Sequence, residues 1–94
     1  MYILVVDDDQ FANALVEFAL RKEGYEVTTT DNPRGAMQMI QKREPDLLII
    51  DVAMPYQNGF EFSTRLRADG SEIPLLFMTD QVNLEPNLKG FHNV

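Results

Sequence analysis

Three short runs of apolar residues stand out along the chain, and none of them alternates with polar residues. They are Ile3–Val6, Leu47–Ile50 and Leu75–Met78. An uninterrupted apolar run predicts a strand that is buried on both faces, as in a parallel sheet covered by helices. Tyr25–Thr30 is a weaker and more polar run around Val27, which predicts an edge strand.

Helical periodicity fills the intervals between and after these strands. The apolar positions at helical spacing are Phe11, Leu15 and Phe18 in Gln10–Glu23; Ala36, Met39 and Ile40 before Pro45; Phe62 and Leu66 before Gly70; and Leu84, Leu88 and Phe91 over 83–91. Asn32-Pro33 is typical of a helix N-terminus, and Gly24 of a C-terminus. The order β-α-β-α-β-α-β-α predicts an α/β fold with a doubly wound parallel sheet and right-handed crossovers. We expect residues 1–94 to form one domain.

Composition and charge exclude several classes of function. The 94 residues are 45% hydrophobic and 24% charged, which is ordinary for a globular domain. A net charge of −7 argues against nucleic acid or an anionic membrane as a direct partner. The absence of cysteine excludes disulfides and thiol chemistry, and no apolar run reaches the roughly 18–20 residues that span a bilayer. We therefore expect a small, acidic, cytoplasmic domain.

Polar side chains follow the predicted strands at the point where each strand ends. Asp7, Asp8 and Asp9 follow the first strand, Asp51 follows the third, and Thr79 follows the fourth. If the first and third strands are neighbours, Asp7, Asp8 and Asp51 converge at one sheet edge, where converging carboxylates favour a hard divalent cation such as Mg²⁺. Asp9 is instead expected to cap the first helix. Taken alone, Thr79 is typical of a turn or capping hydroxyl.

The motifs on these strands resemble those of the receiver domain of bacterial two-component response regulators. They are Val5–Asp9, Leu48–Pro55 with Gly59–Glu61, and Leu76–Thr79. The resemblance runs through the whole chain in order and spacing. It implies the flavodoxin-like (CheY-like) fold with strand order 2-1-3-4-5.

The resemblance also implies roles for individual residues. Asp51 would be the phosphoacceptor that takes a phosphoryl group from a sensor histidine kinase or a phosphotransfer protein. Asp7 and Asp8 would bind Mg²⁺ together with Asp51 and the backbone carbonyl of Ala53. Thr79 would be the switch hydroxyl that turns toward the phosphoryl group. The family implies a signalling domain rather than an enzyme, with at most slow self-phosphorylation from small donors and slow autodephosphorylation.

Some positions depart from the family pattern. Asp80 stands where a small residue is usual, and it adds negative charge beside the expected phosphoryl group. Ala53 and Gln81 occupy the positions that tune the lifetime of the acyl phosphate in this family. The family's fifth strand carries a lysine that pairs with the phosphoryl group, whereas Lys89 lies in a predicted helix and is expected to be an ordinary surface lysine. His92 is assigned no role. We therefore expect impaired phosphorylation.

The chain stops at Val94, before the family's fifth strand and fifth helix. From this we expect a C-terminally truncated receiver domain whose fourth strand is an exposed sheet edge. The missing helix would also uncover apolar surface on the first helix. Unpaired backbone groups on an apolar edge invite pairing with another chain. We therefore expect self-association through the fourth strand or by exchange of elements between copies.

Other functions are compatible with parts of the sequence. A receiver-like module that binds or oligomerises without phosphorylation is favoured by Asp80 and the missing lysine, and disfavoured by the intact acidic residues. A phosphatase of the haloacid dehalogenase type needs a second acid two residues after the nucleophile. Asp7 and Asp9 have that spacing, but the later lysine and acidic pair are missing, and Ala53 fills the position after Asp51. Flavin binding lacks a phosphate-binding loop after the first strand and would rest on the fold alone.

Overall fold

A five-stranded sheet organises the chain in the computed structural model, which describes residues 1–54, 59–78 and 91–93. The strands are β1 (Tyr2–Val6), β2 (Glu26–Thr30), β3 (Leu47–Asp51), β4 (Leu75–Met78) and β5 (Phe91–Asn93). Their spatial order is β2-β1-β3-β4-β5, and β1 to β4 are mutually parallel. The predicted doubly wound α/β fold and the edge position of β2 are confirmed.

Three helices connect the parallel strands. They are α1 (Gln10–Lys22), α2 (Pro33–Lys42) and α3 (Gly59–Ala68). Asp9 caps α1 as predicted, because its Oδ1 accepts a hydrogen bond from Phe11 N at 2.9 Å, and Asn32 caps α2 in the same way. Gly24 and Gly70 follow α1 and α3 with φ angles of 94° and 91°, a left-handed conformation that glycine adopts without steric cost.

The sheet separates two apolar clusters. One cluster lies on the side of the sheet that α2 and α3 cover. It consists of Leu4, Val6, Ala36, Leu48, Ile50, Met54, Phe62, Leu66, Ile73, Leu75 and Phe77. The other lies under α1 and is built from Ile3, Val5, Val27 and Ile49, with Val16 and Leu20 of α1 half-buried against it. Every residue of β1 is buried, which explains why its apolar run does not alternate.

The apolar residues that reveal α1 in the sequence do not face the core. Phe11, Leu15 and Phe18 are 71%, 56% and 71% exposed, whereas Val16 and Leu20 face the sheet. At about 100° per residue, the exposed and sheet-facing sets lie on opposite sides of the helix. Periodicity therefore identifies the helix but not its buried face, because both faces are apolar. We name Phe11, Leu15 and Phe18 the α1 stripe.

The end of the chain departs from the prediction. Phe91 belongs to strand β5 rather than to a helix over 83–91, and β5 pairs antiparallel with β4 over Leu76–Met78. The expectation that β4 is an exposed sheet edge is therefore wrong over these residues, since β5 supplies partners for backbone groups that would otherwise be unpaired. His92 lies in β5 opposite Phe77. Residues 79–90, which contain the rest of the predicted fourth helix, lie outside the described part of the chain.

Among the residues that the structure describes, no helix combines the length and the apolar character needed to cross a membrane.

Candidate metal centre

Three carboxylates gather where β1 and β3 end. One oxygen each of Asp7, Asp8 and Asp51 lies within 4.8 Å of the others. β1 and β3 are neighbours with Val6 aligned to Ile50, so the residues that follow them meet at the same edge of the sheet. Asp7 is buried, Asp51 is half-buried and Asp8 is exposed. The structure therefore brings together the three acids that the sequence predicts to converge.

Backbone hydrogen bonds fix two of these carboxylates. The Oδ1 of Asp7 accepts from Asp9 N at 2.9 Å, and the Oδ1 of Asp51 accepts from Ala53 N at 3.3 Å. The backbone N–H of Asp7 donates to the carbonyl of Thr30 at 3.1 Å, which links the ends of β1 and β2. Backbone groups next to the ends of β1 and β3 therefore hold the carboxylates of Asp7 and Asp51 in place.

The carboxylates oppose one another's ionisation. Burial raises the pKa of Asp7, and the nearby charge of Asp8 raises it further. Burial, followed by the charge of Asp7, raises the pKa of Asp51 from 3.8 to about 6. A cation between them would relieve both the desolvation cost and the repulsion, and an all-oxygen donor set suits a hard divalent ion.

A cavity of about 430 Å³ opens beside the carboxylates. Its lining combines Asp7, Asp8, Asp9 and Asp51 with Ala12, Val16, Ala53 and Met78. A larger groove of about 750 Å³ lies between α2 and α3, but Glu61 is the one acid among its described lining residues. The chemistry therefore favours the smaller cavity as the functional site.

Asn13 supports this site and was not identified from the sequence. It is 5% exposed, and its Nδ2 donates to the carbonyl of Asp7 at 2.8 Å and to the carbonyl of Thr30 at 3.2 Å. Because both partners can only accept, the amide nitrogen must face them, and the buried Oδ1 has no hydrogen-bond partner among the described residues. Asn13 thus joins the ends of β1 and β2 behind the carboxylate cluster. The sequence signal that could have identified Asn13 is its helical spacing, which places this amide on the same face of α1 as Val16 and Leu20.

Gly59 is required by the close approach of α3 to the site. A Cβ atom at this position would lie 2.6 Å from the carbonyl oxygen of Asp51 and 3.2 Å from Val52 Cα. The N–H of Gly59 also donates to the carbonyl of Val52 at 2.9 Å. Gly59, the first residue of α3, therefore lets the helix begin directly against the backbone of Asp51.

Some predicted residues cannot be placed. Thr79, Asp80, Gln81 and Lys89 lie outside the described residues, as does the segment 55–58 that precedes α3. The last residue of β4, Met78, is aligned with Asp51. The predicted roles of the unplaced residues remain predictions.

Comparison with known proteins identifies the family. The sequence model of the response regulator receiver domain family matches residues 3–92. The chain belongs to this family. Its relatives include the transcriptional regulatory protein PcoR of Escherichia coli, which is 34% identical over 88 residues. An uncharacterised 14.6 kDa protein of Leptolyngbya boryana is 41% identical over 81 residues.

Solved receiver domains share the fold. The chemotaxis protein CheY4 of Vibrio cholerae superimposes with a TM-score of 0.77 at 34% identity, over 94% of this chain and 73% of that one. The response regulator TrrA of Thermotoga maritima, solved in complex with Mg²⁺-BeF, gives a TM-score of 0.80 at 30% identity, over 93% of this chain and 76% of that one.

The match covers only part of several relatives. It includes 94% of this chain but 39% of PcoR, and 84% of this chain but 62% of the Leptolyngbya protein. The receiver domain is thus the shared unit. Receiver domains are signalling domains of two-component systems that interact with histidine kinases or phosphotransfer proteins.

Proposed function

We propose that this receiver domain accepts a phosphoryl group on Asp51 from a sensor histidine kinase or a phosphotransfer protein, in the cytoplasm. The observation that supports this proposal best is the convergence of Asp7, Asp8 and Asp51 within 4.8 Å at the sheet edge. A lone exposed aspartate would be a poor acceptor, because the incoming phosphoryl group brings negative charge toward a carboxylate.

The donor set fits Mg²⁺, which Asp7, Asp8, Asp51 and the backbone carbonyl of Ala53 would hold. Three carboxylate oxygens lie close together, and the pKa values of Asp7 and Asp51 are raised, so the site is short of positive charge. When bound, the ion neutralises charge on the phosphoryl oxygens. The related TrrA, solved with Mg²⁺-BeF, supports the same assignment here.

The transfer itself uses the carboxylate of Asp51 as a nucleophile. One carboxylate oxygen forms a bond to phosphorus while the phosphorus–nitrogen bond of the donor phosphohistidine breaks, and the released imidazole takes up a proton. The bond from Ala53 N to Oδ1 orients the carboxylate for this attack. We assign Thr79 the switch hydroxyl that bonds to the new phosphoryl group.

We expect the isolated chain to be phosphorylated slowly. Its 94 residues contain no Lys-Pro pair of the kind that closes the family's fifth strand. Without that lysine, the phosphoryl group lacks one stabilising cation. We expect the acidic residues of these 94 residues to support transfer on their own, at a slow rate.

Incubation with acetyl phosphate and Mg²⁺, followed by intact-mass spectrometry, tests the proposal. We expect one added phosphoryl group in the wild-type chain and in Asp69→Asn, a matched loss of an exposed acid outside the site. We expect none in Asp51→Asn. An adduct that persists in Asp51→Asn would refute the assignment of the acceptor, and no adduct in any variant at any donor concentration would refute phosphorylation.

A receiver-like module that self-associates without phosphorylation is the alternative function. The exposed α1 stripe favours it, because contiguous exposed apolar side chains often mark an interaction surface. The phosphorylation assay separates the two functions, since a module of this kind would take up no phosphoryl group.

A further inference from the structure

The five arginines of the chain differ in whether the described structure gives them a partner. Three are held by ion pairs or hydrogen bonds: Arg21 by Glu17, Arg43 by Glu26, and Arg67 by the carbonyl of Ser71. Arg34 and Arg65 are exposed, and neither makes an ion pair or a hydrogen bond among the described contacts. Both line the groove of about 750 Å³ between α2 and α3. The groove thus brings together the two arginines that have no bonding partner in the described part of the chain.

The two helices that form this groove are fixed by the core. Arg34 lies in the first turn of α2 and Arg65 in the second turn of α3, so each helix contributes one cation. Ala36 of α2 and Phe62 of α3 are both 0% exposed and belong to the same apolar cluster on one side of the sheet. The described lining of the groove lies within residues 32–65. Its shape therefore follows from the packing of two helices inside the chain.

The rest of the groove offers both apolar surface and hydrogen-bonding groups. Pro33 is buried and Met37 is half-buried, which gives the groove an apolar floor. Gln38 and Gln41 are exposed, and their amides can both donate to and accept from a peptide backbone. A methionine side chain adapts to apolar partners of different shapes, and protein interfaces are enriched in methionine and arginine. The lining therefore has the composition of a surface that binds protein.

We infer that the groove between α2 and α3 binds a short acidic segment of a partner protein. A guanidinium group is weakly hydrated and presents its donors in a planar fork that matches a carboxylate, so Arg34 and Arg65 suit aspartate or glutamate side chains. The chain carries a net charge of −7, so most of its surface repels an acidic partner. Unpaired arginines on both helices make this groove a place where such a partner is attracted.

Nucleic acid fits the same groove less well than an acidic peptide. Glu61 also lines the groove, and its carboxylate repels a continuous row of phosphates. The net charge of −7 opposes the approach of a polyanion in the same way. A peptide can instead place two carboxylates beside the arginines and an apolar side chain over Met37. The chemistry therefore favours a protein partner.

Selection from a library of random 12-residue peptides displayed on phage tests the chemistry of the partner. The folded wild-type chain is the bait, and the Arg34→Gln/Arg65→Gln double variant removes peptides that bind elsewhere. We expect the selected peptides to be enriched in aspartate and glutamate relative to the starting library. Enrichment in lysine and arginine, or no enrichment after counter-selection, would overturn the inference.

Fluorescence anisotropy with the selected peptides measures the contribution of each arginine. Arg34→Gln and Arg65→Gln should each raise the dissociation constant about three- to tenfold. Lys22→Gln, which removes an exposed cation from α1 on the other side of the sheet, should change it less than twofold. Unchanged affinity in both arginine variants would contradict the inference. So would a 12-nucleotide single-stranded DNA that competes as strongly as the peptide, because the groove would then attract any polyanion.

Nuclear magnetic resonance locates the bound peptide without any substitution. On titration with a selected peptide, amide shifts should be largest over 33–41 in α2 and 61–65 in α3, and shifts centred on Asp7 or Asp51 would refute the assignment. Circular dichroism of the arginine variants should match that of the wild type, since both side chains are exposed. None of these measurements uses Mg²⁺ or a phosphoryl donor, so their outcome is independent of whether Asp51 is phosphorylated.

Discussion

Replacing Asp51 by asparagine should stabilise the metal-free fold at neutral pH. Folding raises the pKa of this carboxyl from 3.8 to about 6, chiefly through burial and then through the charge of Asp7. One pKa unit corresponds to about 1.4 kcal/mol, and solvent screens part of this half-buried charge, so ionised Asp51 costs the fold about 1–2 kcal/mol at neutral pH. Asparagine removes that charge and keeps an oxygen that can accept the bond from Ala53 N.

The pH dependence follows from the direction of the shift. Because the folded state binds the Asp51 proton more tightly than the unfolded state, the free energy of unfolding falls as the pH rises from about 4 to about 6. Below that range the carboxyl is protonated in both states and costs nothing. The advantage of Asp51→Asn should therefore be largest above about pH 7 and disappear near pH 4.

Urea unfolding in EDTA at about pH 7.5 and about pH 4 measures this difference. We expect the midpoint of Asp51→Asn to exceed that of the wild type by roughly 0.5–2 M urea at the higher pH. Asp69→Asn, which removes an exposed acid outside the site, should not move the midpoint in this way. Equal midpoints at neutral pH, or a gain that persists undiminished at pH 4, would refute the electrostatic reasoning.

Other predictions follow from the same site. Mg²⁺ should raise the urea midpoint of the wild type but not that of Asp51→Asn. The Mg²⁺ affinity of the wild type, measured by calorimetry, should increase as the pH rises through about 6, because binding must displace protons from the carboxyls. An affinity that is independent of pH would contradict this. Gly59→Ala should destabilise the fold by about 1–3 kcal/mol, because its Cβ would meet the Asp51 backbone at 2.6 Å. A Cβ atom at Gly35 would meet side-chain atoms only, the hydroxyl of Thr30 at 2.6 Å and the amide oxygen of Asn32 at 3.4 Å, so Gly35→Ala should cost less. An equal loss in urea melts would argue against backbone contact as the cause. Asn13→Leu should cost about 1–3 kcal/mol and weaken Mg²⁺ binding, because the buried Asp7 carbonyl loses its donor at 2.8 Å; unchanged Mg²⁺ affinity would limit Asn13 to a structural role.

Local sequence signals predicted the sheet and most of its site. The apolar runs of β1, β3 and β4 are continuous because both faces of each strand face the interior, and Asp7 and Asp51 follow the strands directly. The helix caps at Asp9 and Asn32 are also local, since each depends on bonds to residues two or three positions away. Local signals of this kind can be recognised in the sequence without knowledge of the tertiary fold.

Features that depend on distant partners were not predictable in the same way. The buried face of α1 could not be chosen from periodicity, because Leu20 and Phe18 are both apolar and only contact with the sheet distinguishes them. Asn13 resembles an ordinary surface amide until the carbonyls of Asp7 and Thr30 are placed beside it. The pairing of β5 with β4 likewise depends on contacts between residues far apart in the chain.

The antiparallel direction of β5 determines where the domain can be attached to a surface. Asn93 is aligned with Leu76, toward the amino end of β4, and Met1 precedes the amino end of β1. Both ends of the described chain therefore lie at the amino-terminal ends of the parallel strands, away from Asp51, which lies at their carboxyl-terminal ends. Immobilisation through either end should leave the acidic cavity open to a partner in solution, so a biosensor chip can carry this protein by its N-terminus or its C-terminus with the same accessible face.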